Sequence, residues 1–232
     1  MEEFLTAHFW IAVGQIIMID ILLGGDNAVV IALACRKLPP AQRTQGILWG
    51  TAGAILLRVV LIAFALTLLQ VPYLKLVGAL LLLWIGVKLL APQDDDEHGS
   101  IEGSDKLWAA VKTVIVADLV MSVDNVVAIA GAATGAGGRH PLPLVIFGLL
   151  VSVPIIIWGS QLVLRLMDRF PVIVTAGGML LGWIAGTMAH SDPAMVHWLP
   201  QGDGWSYGMG IAGTLLVYIA GHVVRRRSRK SG

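Results

Sequence analysis

The sequence predicts an all-α integral membrane protein of about seven transmembrane helices. They are arranged as an inverted repeat of three plus three helices with one extra C-terminal helix. Three observations predict this: an apolar composition, seven long apolar segments and a duplication relating the two halves of the chain. Of 232 residues, 56% are hydrophobic and only 13% charged. Soluble domains carry roughly 25% charged residues. A soluble core of this length could not hide so much apolar surface, because one core buries only part of a chain. The bilayer must be the solvent for most of it. A net charge of +1 gives no reason to expect a nucleic-acid partner. The lone cysteine, Cys35, excludes an intramolecular disulfide.

A spanning helix needs roughly 20 mostly apolar residues. The segments that qualify lie near 7–34, 46–69, 72–91, 108–133, 142–165, 171–190 and 208–224. The first follows an acidic start, MEEFLTAHFW, and is too long for a signal-peptide core, so it reads as a retained span. The second is apolar apart from Arg58 in its middle, and the third opens just after Pro72. The polar, acidic stretch 92–107 then divides the chain. The fourth and fifth spans follow, and the sixth holds Gly178, Gly182 and Gly186, a small-xxx-small stripe suited to close helix packing. The loop 191–207 carries tryptophans and a tyrosine that suit the membrane interface, and the seventh span ends at the basic tail RRRSRK. Helices are the only choice, since lipid forces every backbone polar group to be satisfied within its segment and the runs do not alternate as barrel strands would.

Lysine and arginine set the orientation. Arg36, Lys37 and Arg43 after the first span, Lys88, Lys106 and Lys112 around the linker, Arg165 and Arg169 after the fifth span, and the tail all fall on one side if the N-terminus is outside. Lys75 and Arg139 fall on the other. The expected placement is therefore a plasma-membrane protein with a cytoplasmic C-terminus.

A shift of 98 residues lays the first span on the fourth. Trp10 meets Trp108, Asp20 meets Asp118, Asp26-Asn27 meets Asp124-Asn125, and Gly50 meets Gly148. One further residue of shift brings Pro72, Gly78 and Trp84 onto Pro171, Gly177 and Trp183. The polar matches are improbable by chance in so apolar a chain. The expected organisation is a first repeat over 1–91, the linker 92–107, a second repeat over 108–190, and a loop, seventh helix and basic tail over 191–232. Three spans per copy is odd, so the second copy enters from the opposite side, and the site expected of such a fold lies near the midplane between the copies.

The duplicated motif is Asp20-Ile-Leu-Leu-Gly-Gly-Asp26-Asn27 and Asp118-Leu-Val-Met-Ser-Val-Asp124-Asn125. A charge at the bilayer centre costs from about 3 kcal/mol on insertion scales to more than about 10 in simulations. Four carboxylates must therefore face the bundle interior and find a proton, a cation or Arg58. Asp20 and Asn27 share a helix face, as do Asp118 and Asn125, while Asp26 and Asp124 lie about 100° away. Unwinding at Gly24-Gly25 would turn Asp26 toward Asp20, and Ser122 offers a hydroxyl one turn after Asp118. The ligands on offer are hard oxygens, suited to Mn²⁺, Mg²⁺ or Ca²⁺. Met18 and Met121 read as core filler. A structural pair between Arg58 and one carboxylate is the competing reading. His140, His190 and His197 fall at span ends, and the acidic run 94–97 reads as a solvated loop.

At GGDNAVVIA (24–32) and SVDNVVAIA (122–130), each with an aspartate six residues before the motif aspartate, the chain resembles the TerC family of bacterial integral membrane proteins. The resemblance covers the whole chain. It implies manganese export, an association with tellurite resistance, and kinship with lysine-exporter-like transporters. Carried over, it makes Asp20, Asp26, Asp118 and Asp124 candidates for the Mn²⁺ path, with Asn27 and Asn125 beside them. The expected function is export of divalent cations, with Mn²⁺ as the transported ion and no permanently bound cofactor. The alternatives are transport of another cation or a small amino acid, and a role in membrane-protein assembly, which some family members have. No nucleophile–base pair marks an enzyme. The bilayer is the expected partner, and a homo-oligomer is allowed but not specified.

Overall fold

In a computed structural model, residues 7–64, 71–91, 103–135, 141–196 and 198–231 are described. They form seven helices: α1 (Ala7–Arg36), α2 (Pro40–Ala63), α3 (Leu74–Leu90), α4 (Gly103–Gly135), α5 (Pro141–Arg169), α6 (Pro171–His190) and α7 (Asp203–Ser231). No strand occurs among the described residues. Among these residues, four helical segments are long and apolar enough to cross a membrane: Pro40–Ile62, Ile146–Arg169, Pro171–His190 and Asp203–Arg226. At 17 residues, α3 is about 26 Å long, slightly under the hydrocarbon thickness. Large apolar side chains such as Leu56, Val77, Trp84, Trp158 and Val172 are exposed, as a lipid-facing surface requires.

The helices differ from the sequence expectation mainly at their ends. α2 starts six residues before the expected 46, with Pro40 in its first turn. Arg43 thus belongs to a helix and forms an ion pair with Asp168. Arg165 and Arg169, expected in a loop, are the last turns of α5, and the basic tail continues α7 to Ser231. α1 is unbroken through Gly24-Gly25, which answers the question the sequence left open there. Helix is the cheapest conformation in lipid even for glycine, because leaving it strands backbone groups without partners. Met121 is core filler as expected, whereas Met18 is exposed.

Packing follows the duplication. α1 packs chiefly on α5, and α2 chiefly on α4, the same pair with the repeats exchanged. α1 meets α4, α2 meets α5, and α3 meets α6, each helix against its own counterpart. These counterparts run antiparallel: Ala34 at the end of α1 and Ala110 near the start of α4 line one cavity. Arg43 near the start of α2 meets Asp168 at the end of α5. Gly78 near the start of α3 lies against Met188 near the end of α6. α7 stands outside this scheme, on α6 and α3. There the glycine stripe lets backbones touch: a Cβ added at Gly182 or Gly186 would collide with the backbone of Gly213 or Met209.

A buried carboxylate absent from the expected site, Asp192, fixes the start of α3. It is fully buried and accepts hydrogen bonds from the backbone N–H groups of Tyr73 (2.9 Å), Leu76 (3.0 Å) and Ala194 (2.7 Å). Burial opposes its charge, but these donors outweigh burial and hold its carboxyl below the usual carboxylate value. It supplies the cap that Tyr73, in the left-handed conformation, does not give α3 itself.

Candidate functional site

α2 carries Arg58 into the helical core, where it is 3% exposed. Its Nη2 donates to Asp118 Oδ1 at 2.5 Å and its Nε to Ser122 Oγ at 3.1 Å. Ser122 Oγ in turn donates to Asp118 Oδ2 at 3.0 Å. Asp118 and Ser122 are four residues apart on α4, about one turn, so both reach the same neighbour. The planar guanidinium fork matches this paired geometry, which a lysine could not reproduce. The result is a closed polar ring inside an apolar bundle.

Beside it lies the first copy of the motif. Asp26 is half-buried, and its Oδ1 accepts the backbone N–H of Asn27 at 2.8 Å. Arg58 and Asp118 are near enough for both charges to act on it. Asn27 is 3% exposed, and neither atom of its side-chain amide has a hydrogen-bond partner among the described residues. The Thr51 hydroxyl is in the same condition at 2% exposure. Thr51 precedes Arg58 by seven residues, about two turns, and so shares its face of α2. Sequence reasoning passed over Thr51, although that spacing from Arg58 could have found it.

The same helix crossing is built twice with different chemistry. The 98-residue shift carries Arg58 onto Ile156 and Ser122 onto Gly24. Ile156 Cδ1 lies 3.9 Å from where a Cβ on Gly24 would stand. Arginine meets serine in one half, and isoleucine meets glycine in the other.

Of the six expected site residues, Asp118 joins the ring, and Asp26 and Asn27 adjoin it. Asp20 is on α1, and Asp124 and Asn125 are on α4, but their side chains lie outside the described residues. Among the described residues, no group of three or more histidine, cysteine, aspartate or glutamate side chains is arranged to hold a metal. His190 is buried, and its Nε2 donates to the Pro200 carbonyl at 3.1 Å, which accounts for it structurally. His140, His197 and the acidic run 94–97 are outside the described residues. Chemically, the site offers a carboxylate held by a fixed cation, a second carboxylate nearby, and neutral oxygens with bonding capacity to spare.

No solved structure matches the chain. The chain is 44% identical over 186 residues to the uncharacterized membrane protein YjbE of Bacillus subtilis (strain 168), covering 80% of this chain and 82% of that one. It is 27% identical to YkoY of the same organism, over 86% of this chain and 69% of the relative. The inner membrane protein YoaE of Escherichia coli (strain K12) is 25% identical over 75% of this chain, which spans 36% of that protein. The family model described as integral membrane protein TerC family matches residues 5–229, and with the apolar helices and these bacterial membrane relatives it establishes that this integral membrane protein belongs to the TerC family.

Proposed function

We propose that this protein is a transporter that exports divalent metal cations, manganese foremost, along a path lined by Asp20, Asp26, Asn27, Asp118, Asp124 and Asn125. One observation carries the reading. The Arg58–Asp118–Ser122 ring occupies a crossing at whose counterpart Ile156 stands for Arg58 and Gly24 for Ser122. Packing therefore does not demand an arginine at that crossing. A buried charge pair is weak evidence for stability, since apolar replacements are often as stable. Charges kept at membrane depth point to a substrate path.

The residues then divide the work. In the cation-free state, the Arg58 guanidinium neutralises Asp118, so the empty site carries no bare carboxylate there. An arriving divalent cation and Arg58 repel each other and compete for the same oxygen atoms. Asp26 and the amide oxygen of Asn27 offer hard donors that Arg58 does not occupy in the ring. Protonation of the carboxylates would release the cation, which couples export to a proton gradient. Neither a resident cofactor nor an enzymatic step enters this scheme. The cationic side chains Lys37, Arg43, Lys88, Lys106 and Arg169 cluster at one end of the bundle, which supports an outside N-terminus and a cytoplasmic C-terminus.

The test is flux into proteoliposomes holding a divalent-cation dye, with Mn²⁺, Mg²⁺ and Ca²⁺ in competition. Mn²⁺ flux that is lost in Asp26→Asn supports the reading. Flux of none of the three cations would overturn it.

A further inference from the structure

At the basic end of the bundle, α1, α3 and α4 leave a cavity of about 230 Å³ between them. Its walls are apolar, with Leu38, Ile85 and Leu89 among them, and three lysines line it: Lys37, Lys88 and Lys106. None of the three meets a carboxylate among the described residues. Lys37 is the most buried of them. Its Nζ donates to the carbonyls of Lys88 (3.2 Å) and Ala91 (3.0 Å) at the end of α3. Burial, Arg36 and Lys88 together hold its ammonium below the ordinary lysine value. Lys88 lies over the exposed Trp84 ring, 4.7 Å from its centroid, and the exposed Trp108 follows Lys106 on α4. Cations at the mouth, an apolar wall behind them and tryptophans at the rim match the parts of an amphiphile at the membrane interface.

We infer that this cavity binds an anionic phospholipid, with the headgroup phosphate on Lys37, Lys88 and Lys106 and the upper acyl chain against the wall of α1, α3 and α4. Basic pockets between transmembrane helices on the cytoplasmic side are the general form of such sites. The apolar wall distinguishes a lipid from a free anion, because a small hydrated phosphate gains nothing from Leu38, Ile85 and Leu89. The site lies apart from Arg58 and Asp118, and its occupation does not depend on what the protein carries.

The test uses the full chain in zwitterionic detergent micelles, titrated with phosphatidylglycerol or phosphatidylcholine and read by thermal shift and by native mass spectrometry. Phosphatidylglycerol should be retained in preference to phosphatidylcholine. Because Lys37 also caps α3, the informative variant is Lys88→Gln/Lys106→Gln, which leaves that cap in place. At about 1 kcal/mol per surface-facing lysine, its apparent affinity should fall about 25-fold. Equal retention of the two lipids, or unchanged affinity in the double variant, would overturn the proposal. So would stabilisation by inorganic phosphate alone equal to that by phosphatidylglycerol. Neutralising the acidic run 94–97 should leave the lysine dependence intact; its disappearance would assign the cavity to that segment instead.

Discussion

Arg58→Met leaves Asp118, at 6% exposure, without its guanidinium partner and leaves the Ser122 hydroxyl without its donor. Removing one member of a buried ion pair costs about 3–5 kcal/mol, because the remaining charge must stay buried alone or take up a proton. At about 2–4 °C per kcal/mol for a chain of this length, the melting temperature in detergent should fall by about 6–20 °C. Asp118→Leu, which removes the carboxylate that the cation bonds, should cost a similar amount. The double variant Arg58→Met/Asp118→Leu replaces both charges with apolar side chains and should recover most of the loss. Thermal melts of the four proteins at pH 7 make a double-mutant cycle. A cost below about 1 kcal/mol for either single variant, or a double variant no better than the sum of the two, would refute a coupled ionic ring. Cation flux should be lost in the double variant even where stability returns, which separates the role of the ring in transport from its role in the fold.

Asn27→Leu replaces a buried amide that has no partner among the described residues, so it should raise stability by about 1–3 kcal/mol while lowering cation flux; a loss of stability would show that the amide is satisfied in the membrane. Asp192→Asn removes the charge that draws three backbone donors together and should cost about 1–3 kcal/mol at neutral pH. The carboxyl value of Asp192 is depressed in the folded chain, so its contribution is present above the unfolded value of 3.8 and is lost as pH falls through the lower folded value. The gap between wild-type and variant melting temperatures should therefore close below about pH 4, and a gap constant with pH would refute this. Gly186→Val forces a side chain into the Met209 backbone and should cost at least about 1–3 kcal/mol by melting temperature, whereas Gly208→Val, with open space around it, should be neutral.

Much of the architecture was legible because lipid leaves few choices. Twenty apolar residues in a row mean a helix, and an odd number of spans per copy means inversion, and the counterpart pairs do run antiparallel. The helix ends were not legible, because a helix does not stop where hydrocarbon stops. The tail arginines and lysine are good helix formers and carry α7 on into water, as Gln42 and Arg43 do at the start of α2. Gly24-Gly25 left the sequence undecided for the opposite reason: glycine loosens a helix in water, but lipid removes the alternative partners that would reward unwinding. The Arg58–Asp118 pair was among the readings open in the sequence, while its asymmetry emerged only once α2–α4 and α1–α5 were seen to be equivalent crossings. The capping role of Asp192 had no local signal, since it joins residues more than a hundred positions apart.

Manganese content in cells under manganese load, compared between the wild type and Asp124→Asn at equal protein level, bears most directly on export through the duplicated motif. Export predicts less manganese in cells carrying the wild type and a return to the level of cells lacking the protein with the variant. Equal manganese in all three would contradict manganese export by this chain.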